Sequence, residues 1–304
     1  MFEERQFRSM ATFENPFIAL KARLVVVVFF AIALGLALVF GTLGGLELIP
    51  WAADDPIFAP VLYSLVFSSL CLSIWLVSRR PPLRLSYLLG PWPHQLAWLQ
   101  LLWLVVGVFL FSLGAFQLSY LALSLVAPTW VEASLQQSLL LSAEQAASPR
   151  LYNGLMLFSV VVVAPITEEF IFRGVLLHRW GTKWGVGAAI FLTSVLFGLL
   201  HANLIGLFVF GVVMALLYLS TRSLIVPIVA HAINNAIASG FELLTALTAP
   251  EDLAINTLAE FRASWWLGVL CLLVSAPWVL RYVFYHWPQP NTPLPYFANQ
   301  APRS

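Results

Sequence analysis

Three short stretches set ionisable or amide side chains inside otherwise apolar sequence: APITEEFIFRG (164–174), FGLLH (197–201) and HAINN (231–235). They supply Glu168, Glu169 and Arg173, then His201, then His231 with Asn234 and Asn235. A charge at the centre of a helix in lipid costs about 2.5–3.5 kcal/mol on insertion scales, so such residues are read as functional by default. A carboxylate beside an imidazole can position a water and take its proton. A second imidazole and an amide N–H can donate hydrogen bonds to a developing oxyanion. Such a set hydrolyses a peptide bond without a serine or cysteine nucleophile. The same atoms support a second chemistry, in which His201, His231 and a glutamate hold a zinc ion that activates the water. The chain has no HExxH helix, the most specific signature of that second route.

Spacing separates the two glutamates. Glu169 and Arg173 are four apart and share a helix face, where they form an i,i+4 ion pair. Glu168 is rotated onto a different face, so one carboxylate is neutralised by arginine and the other is left for chemistry. Pro165 removes a backbone hydrogen bond just upstream and is expected to kink the helix there. His231 and Asn235 are also four apart, and their side chains point in one direction.

These residues need helices in a membrane to position them. Of 304 residues 61% are hydrophobic and only 10% charged, with mean hydropathy +0.88; about 25% charged is usual for a soluble domain. A net charge of +1 and the lack of a basic stripe exclude nucleic acid as a partner. Cys71 and Cys271 both lie in apolar runs, far from any partner, and read as small hydrophobes.

A span takes about 20 apolar residues. Eight segments fit: 24–44, 58–78, 96–126, 152–177, 186–201, 204–220, 224–244 and 265–285. The chain is thus expected to be an all-α polytopic bundle of about eight transmembrane helices. Residues 1–23 form a cytosolic N-terminal segment, without the short apolar core of a cleaved signal peptide. Residues 24–287 form the transmembrane domain, and the five prolines in residues 288–304 indicate a disordered cytosolic tail. With the N-terminus inside, 13 of the 15 lysines and arginines fall on the inner side, leaving only Arg150 and Arg262 outside. Cytoplasmic loops carry the excess of Lys and Arg, so both termini face the cytosol. Only Ala202 and Asn203 separate the fifth and sixth spans, so their hairpin should turn within the membrane or just under its outer face. That leaves His201 buried near the tip.

EEFIFR, FGLLH and HAINN, in this order and in adjacent spans, resemble the EExxxR, FxxxH and HxxxN/D motifs of the CAAX-protease and bacteriocin-processing (Abi) family of intramembrane proteases. The resemblance covers residues 155–239. It implies an intramembrane endopeptidase in which Glu168 is general base on a water shared with His201. It further implies that His231 and Asn235 form the oxyanion hole, with Glu169 and Arg173 in supporting roles. No cofactor follows from this reading; zinc is required only if the metal-dependent description of the family applies. The expected partners are the bilayer and a membrane-associated protein or peptide substrate, prenylated in part of the family, and the site of action is the plasma membrane if the chain is bacterial. A non-catalytic scaffold or immunity-type protein, or a proton-coupled transporter using Glu168, are the competing classes. A transporter usually shows repeated halves or paired broken helices, which this sequence lacks.

Overall fold

A computed structural model describes residues 15–51, 54–78, 81–141, 145–248 and 257–300, and every regular element among them is a helix. The first half of the chain forms α1 (Ala22–Gly45), α2 (Phe58–Val77), α3 (Leu85–Leu89), α4 (Trp98–Leu123) and α5 (Pro128–Leu135). One long helix follows, α6 (Pro149–Trp184), then α7 (Val186–Leu199), α8 (Leu204–Thr221) and α9 (Ile225–Thr248). The chain closes with α10 (Leu258–Ala263), α11 (Trp265–His286) and α12 (Pro295–Ala298).

Helices occupy all eight predicted span positions. Six of them, α1, α2, α4, α6, α8 and α11, are long and apolar enough to cross a membrane, and the chain is an integral membrane protein. Helix α7 has 14 residues, which at 1.5 Å per residue rise only about 21 Å. Helix α9 has 24 residues but carries the HAINN stretch and Glu242.

Helix α8 is apolar on every side and is correspondingly buried, with Phe210 to Leu219 all inside the bundle. Around it lie α4, α6, α7, α9 and α11. Helix α1 instead leans on α2 and leaves Val27, Phe30, Leu34 and Leu38 exposed along one face, as a lipid-facing helix should.

Chain reversals place the motif helices. Gly185, at φ 87°, separates α6 from α7, and Arg222, at φ 54°, ends α8. Gly90, at φ 69°, lies so close to that second turn that a Cβ would sit 1.9 Å from the Arg222 carbonyl oxygen. Helix α3 can therefore lock beneath the α8–α9 junction, where the Leu224 N–H donates to Leu89 O at 3.0 Å and the Tyr218 hydroxyl to Leu88 O at 2.8 Å.

The α7–α8 hairpin does turn on very few residues, and α4 holds it. Asn203 accepts from the Gly206 N–H at 3.0 Å and donates to Ser112 O at 2.8 Å, while Tyr120 donates to Ala202 O at 3.0 Å. These bonds satisfy backbone that lipid could not. His201 is half-buried beside this tip.

Residues 288–300, expected to belong to a disordered tail, are instead folded against the bundle. Phe17 stacks on His178 at 4.7 Å, and Tyr296 meets Phe17 edge-on at 5.0 Å. The Tyr296 N–H donates to His178 Nε2 at 3.1 Å, and His178 Nδ1 donates to Arg173 O at 3.0 Å. Asn299 donates to the carbonyls of Tyr87 and Arg222. The prolines stiffen a segment that needs no core of its own, because its aromatic rings complete one built by α3, α6 and α8. Residues 301–304 of the expected tail, and residues 1–14 of the N-terminal segment, lie outside the described residues. Tyr296→Ala should destabilise the protein by about 3–5 kcal/mol, as for other buried aromatics. Its unfolding midpoint in detergent should fall well below that of Trp287→Ala, whose ring is exposed.

Candidate active site

Helix α6 is not uniform. Wide turns, with hydrogen bonds from i to i+5, occupy Ser159–Val163 and Phe170–Leu176, and the six residues between them, Ala164–Glu169, include both glutamates. Pro165 was expected to kink the helix. The helix continues through it, with a wide turn immediately before it. Such turns recur at functional sites, since the extra residue re-aims the side chains that follow.

Arg173 Nη1 meets Glu169 Oε1 at 2.9 Å, and the two side chains are 1% and 0% exposed. Arg173 Nη2 also donates to Gly211 O at 3.0 Å, and its guanidinium lies 4.9 Å above the Phe197 ring. A buried charge is tolerated only with this degree of pairing and hydrogen bonding. Gly211 makes room for it: a Cβ there would come within 3.0 Å of the Ser194 backbone on α7.

Glu169 Oε1 receives a second bond, from His231 Nδ1 at 2.9 Å. Because a carboxylate oxygen faces it, Nδ1 carries a proton, which leaves Nε2 as the ring nitrogen turned toward Glu168. That Nε2 lies 3.9 Å from Glu168 Oε2. Glu168 Oε1 accepts from the Tyr63 hydroxyl at 2.7 Å, whereas Oε2 is buried with no hydrogen-bond partner among the described residues. His201 Nδ1 donates to Phe197 O at 2.6 Å, with the ring stacked on Phe197, so Nε2 is its remaining ring nitrogen. Asn235 donates through Nδ2 to Val160 O at 2.9 Å.

Glu168, His201, His231 and Asn235 line one cavity of about 430 Å³, together with Tyr63 and Asn234. Apolar residues, among them Met156, Val160, Leu207 and Phe210, form the rest of its wall. Glu169 and Arg173 do not line it; they lie behind it and hold His231. Two expectations therefore change. The Glu168 carboxylate is not wholly unheld, since Tyr63 engages one oxygen. His231, expected to point the same way as Asn235, lines the cavity with it but is held by Glu169, while the Asn235 amide is partly spent on a backbone carbonyl. Tyr63 was not among the expected site residues, and Asn234, whose buried Oδ1 has no hydrogen-bond partner among the described residues, was given no role. Asn234 sits inside HAINN and was already visible there as a polar residue in an apolar stretch. Tyr63 is 105 residues from its partner, and its only signal is that a phenol in an apolar helix needs an acceptor.

The fold and this cavity define a polytopic helical membrane protein with carboxylate and imidazole groups converging inside the bundle. Residues 150–237 match the family model described as "Type II CAAX prenyl endopeptidase Rce1-like". The segment that holds every motif residue is thus Rce1-like, and Tyr63 lies outside it. Over 84 residues the chain is 37% identical to "Putative membrane peptidase YdiL" of Bacillus subtilis (strain 168). That match covers 27% of this chain and 34% of the relative, about a third of its length. No solved structure matches the chain.

The two glutamates should differ on substitution. Glu169→Gln strands Arg173 and His231 in the bundle, and removing one member of a buried ion pair costs about 3–5 kcal/mol. Glu168→Gln keeps an oxygen for the Tyr63 hydroxyl and should purify like the parent. Comparing monodisperse yield and unfolding midpoint in detergent tests this, and equal losses for both variants would remove the distinction.

Proposed function

We propose that this chain is an intramembrane endopeptidase, hydrolysing a peptide bond of a membrane-associated protein or peptide. The observation that carries the proposal is the Glu168 carboxylate, which lines the cavity and whose buried Oε2, without a hydrogen-bond partner among the described residues, lies 3.9 Å from His231 Nε2. A water held between Glu168 Oε2 and the acceptor Nε2 of His201 loses its proton to Glu168 and attacks the substrate carbonyl carbon. The oxyanion then takes the Asn235 amide N–H that is not used on Val160.

His231 has a larger part than an oxyanion donor. Held by Glu169 through Nδ1, it receives the proton from Glu168 at Nε2 and delivers it to the leaving amine. The C–N bond breaks as that amine is protonated, so Glu168 and His231 both return to their starting states. The Rce1-like segment and its peptidase relative support this class of reaction. The excess of Lys and Arg on one side supports cytosolic termini.

We further propose that the hydrolysis needs no resident metal. Among the described residues no three His, Cys, Asp or Glu side chains gather as a metal-holding group.

Comparing the membrane proteomes of cells carrying the parent and Glu168→Gln tests the activity. At least one protein should accumulate uncut with the variant, and indistinguishable proteomes would refute peptidase activity. Exhaustive chelation of the purified parent should leave cleavage of that protein unchanged. Loss of cleavage together with stoichiometric zinc would overturn the metal-free mechanism.

A further inference from the structure

On the hydrolytic reading of the site, we infer that Tyr63 of α2 is a positioning residue that fixes which oxygen of Glu168 acts as the base. A carboxylate has two chemically equivalent oxygens and turns about its last bond unless something holds it. Here the phenol donates to Oε1 at 2.7 Å, leaving Oε2 as the oxygen that faces His231 Nε2. A hydroxyl-to-carboxylate bond is among the stronger protein hydrogen bonds, because the acceptor is ionised. A base held within a few tenths of an ångström of its working position is what efficient proton transfer demands.

The contact is built rather than incidental. Pro60, Tyr63, Ser64, Phe67 and Cys71 recur along α2 at helical spacing, and this face meets α6 at several points. The hydroxyls of Ser64 and Ser159 are 2.8 Å apart, Ser159 donates to Pro60 O at 3.2 Å, and Cys71 reaches Thr167 O at 3.7 Å. The Tyr63 ring rests on Phe67 at 4.6 Å, which sets its direction. Tyr63 lies on the cavity wall, outside residues 150–237, so the Rce1-like segment borrows a site component from the first half of the chain.

The test follows cleavage of the protein that accumulates uncut with Glu168→Gln, using proteoliposomes and varied substrate density. Tyr63→Phe keeps the ring and should lower kcat by about 10- to 100-fold, the range for losing a hydrogen bond to a charged group, with KM within about twofold. Ser64→Ala, which removes a neighbouring α2–α6 hydrogen bond without touching Glu168, should retain nearly the parent kcat. In the Glu168→Asp background, whose shorter carboxylate no longer meets the phenol, adding Tyr63→Phe should cost less than about twofold more, because the two changes act through one contact. Parent-like kcat for Tyr63→Phe alongside an inactive Glu168→Gln would overturn the positioning role and leave the peptidase proposal standing. Equal losses for Tyr63→Phe and Ser64→Ala would assign the effect to helix docking instead, again against the inference. If Glu168→Gln cuts as fast as the parent, both proposals fail.

Discussion

The buried carboxylate of Glu169 is the constraint on which the rest of the site depends. One oxygen, Oε1, receives Arg173 from its own helix and His231 from α9, each at 2.9 Å. Through Arg173 the same group reaches the backbone of α8 at Gly211. Three helices are thereby pinned at one point inside an apolar bundle. The pinning is unforgiving, since each partner would be a costly unpaired group without the others.

That arrangement leaves a division of labour between two adjacent residues. Glu169 is fully enclosed and bonded to Arg173 and His231, whereas Glu168, one residue away, lines the cavity. Wide turns lie on either side of Ala164–Glu169, the six residues that include both carboxylates. Small residues do the matching work between helices. Gly211 and Ser194 allow α7 and α8 to close around the arginine, and packing of this kind replaces the hydrophobic drive that lipid does not provide.

The far side of the same helix is held by the ends of the chain. His178, five residues after Arg173, donates to the Arg173 carbonyl and accepts from the backbone of Tyr296, with Phe17 stacked on its ring. Segments from opposite termini thus close over the helix that carries the motif. The site is bounded by α2 on one flank, and the aromatic cluster closes the later end of α6.

Much was legible in the residues themselves. Apolar runs of spanning length specify helices in lipid, because every backbone group there must bond within its own segment, and all eight positions were readable from them. The i,i+4 rule likewise determined that Glu169, not Glu168, pairs with Arg173, since helix geometry links them without any tertiary contact. The three motifs marked the residues that now meet at the cavity. Only the tertiary structure decided the rest. A Pro-rich segment reads as disordered until Phe17 and His178 supply a surface for Tyr296. His231 and Asn235 share a helix face, yet their partners are a carboxylate and a carbonyl on α6, and no local spacing encodes those. The hold of Tyr63 on Glu168 joins residues 105 apart. Hydrogen bonds of that range depend on how helices pack, and one tyrosine among eight carries no sign of it in the sequence.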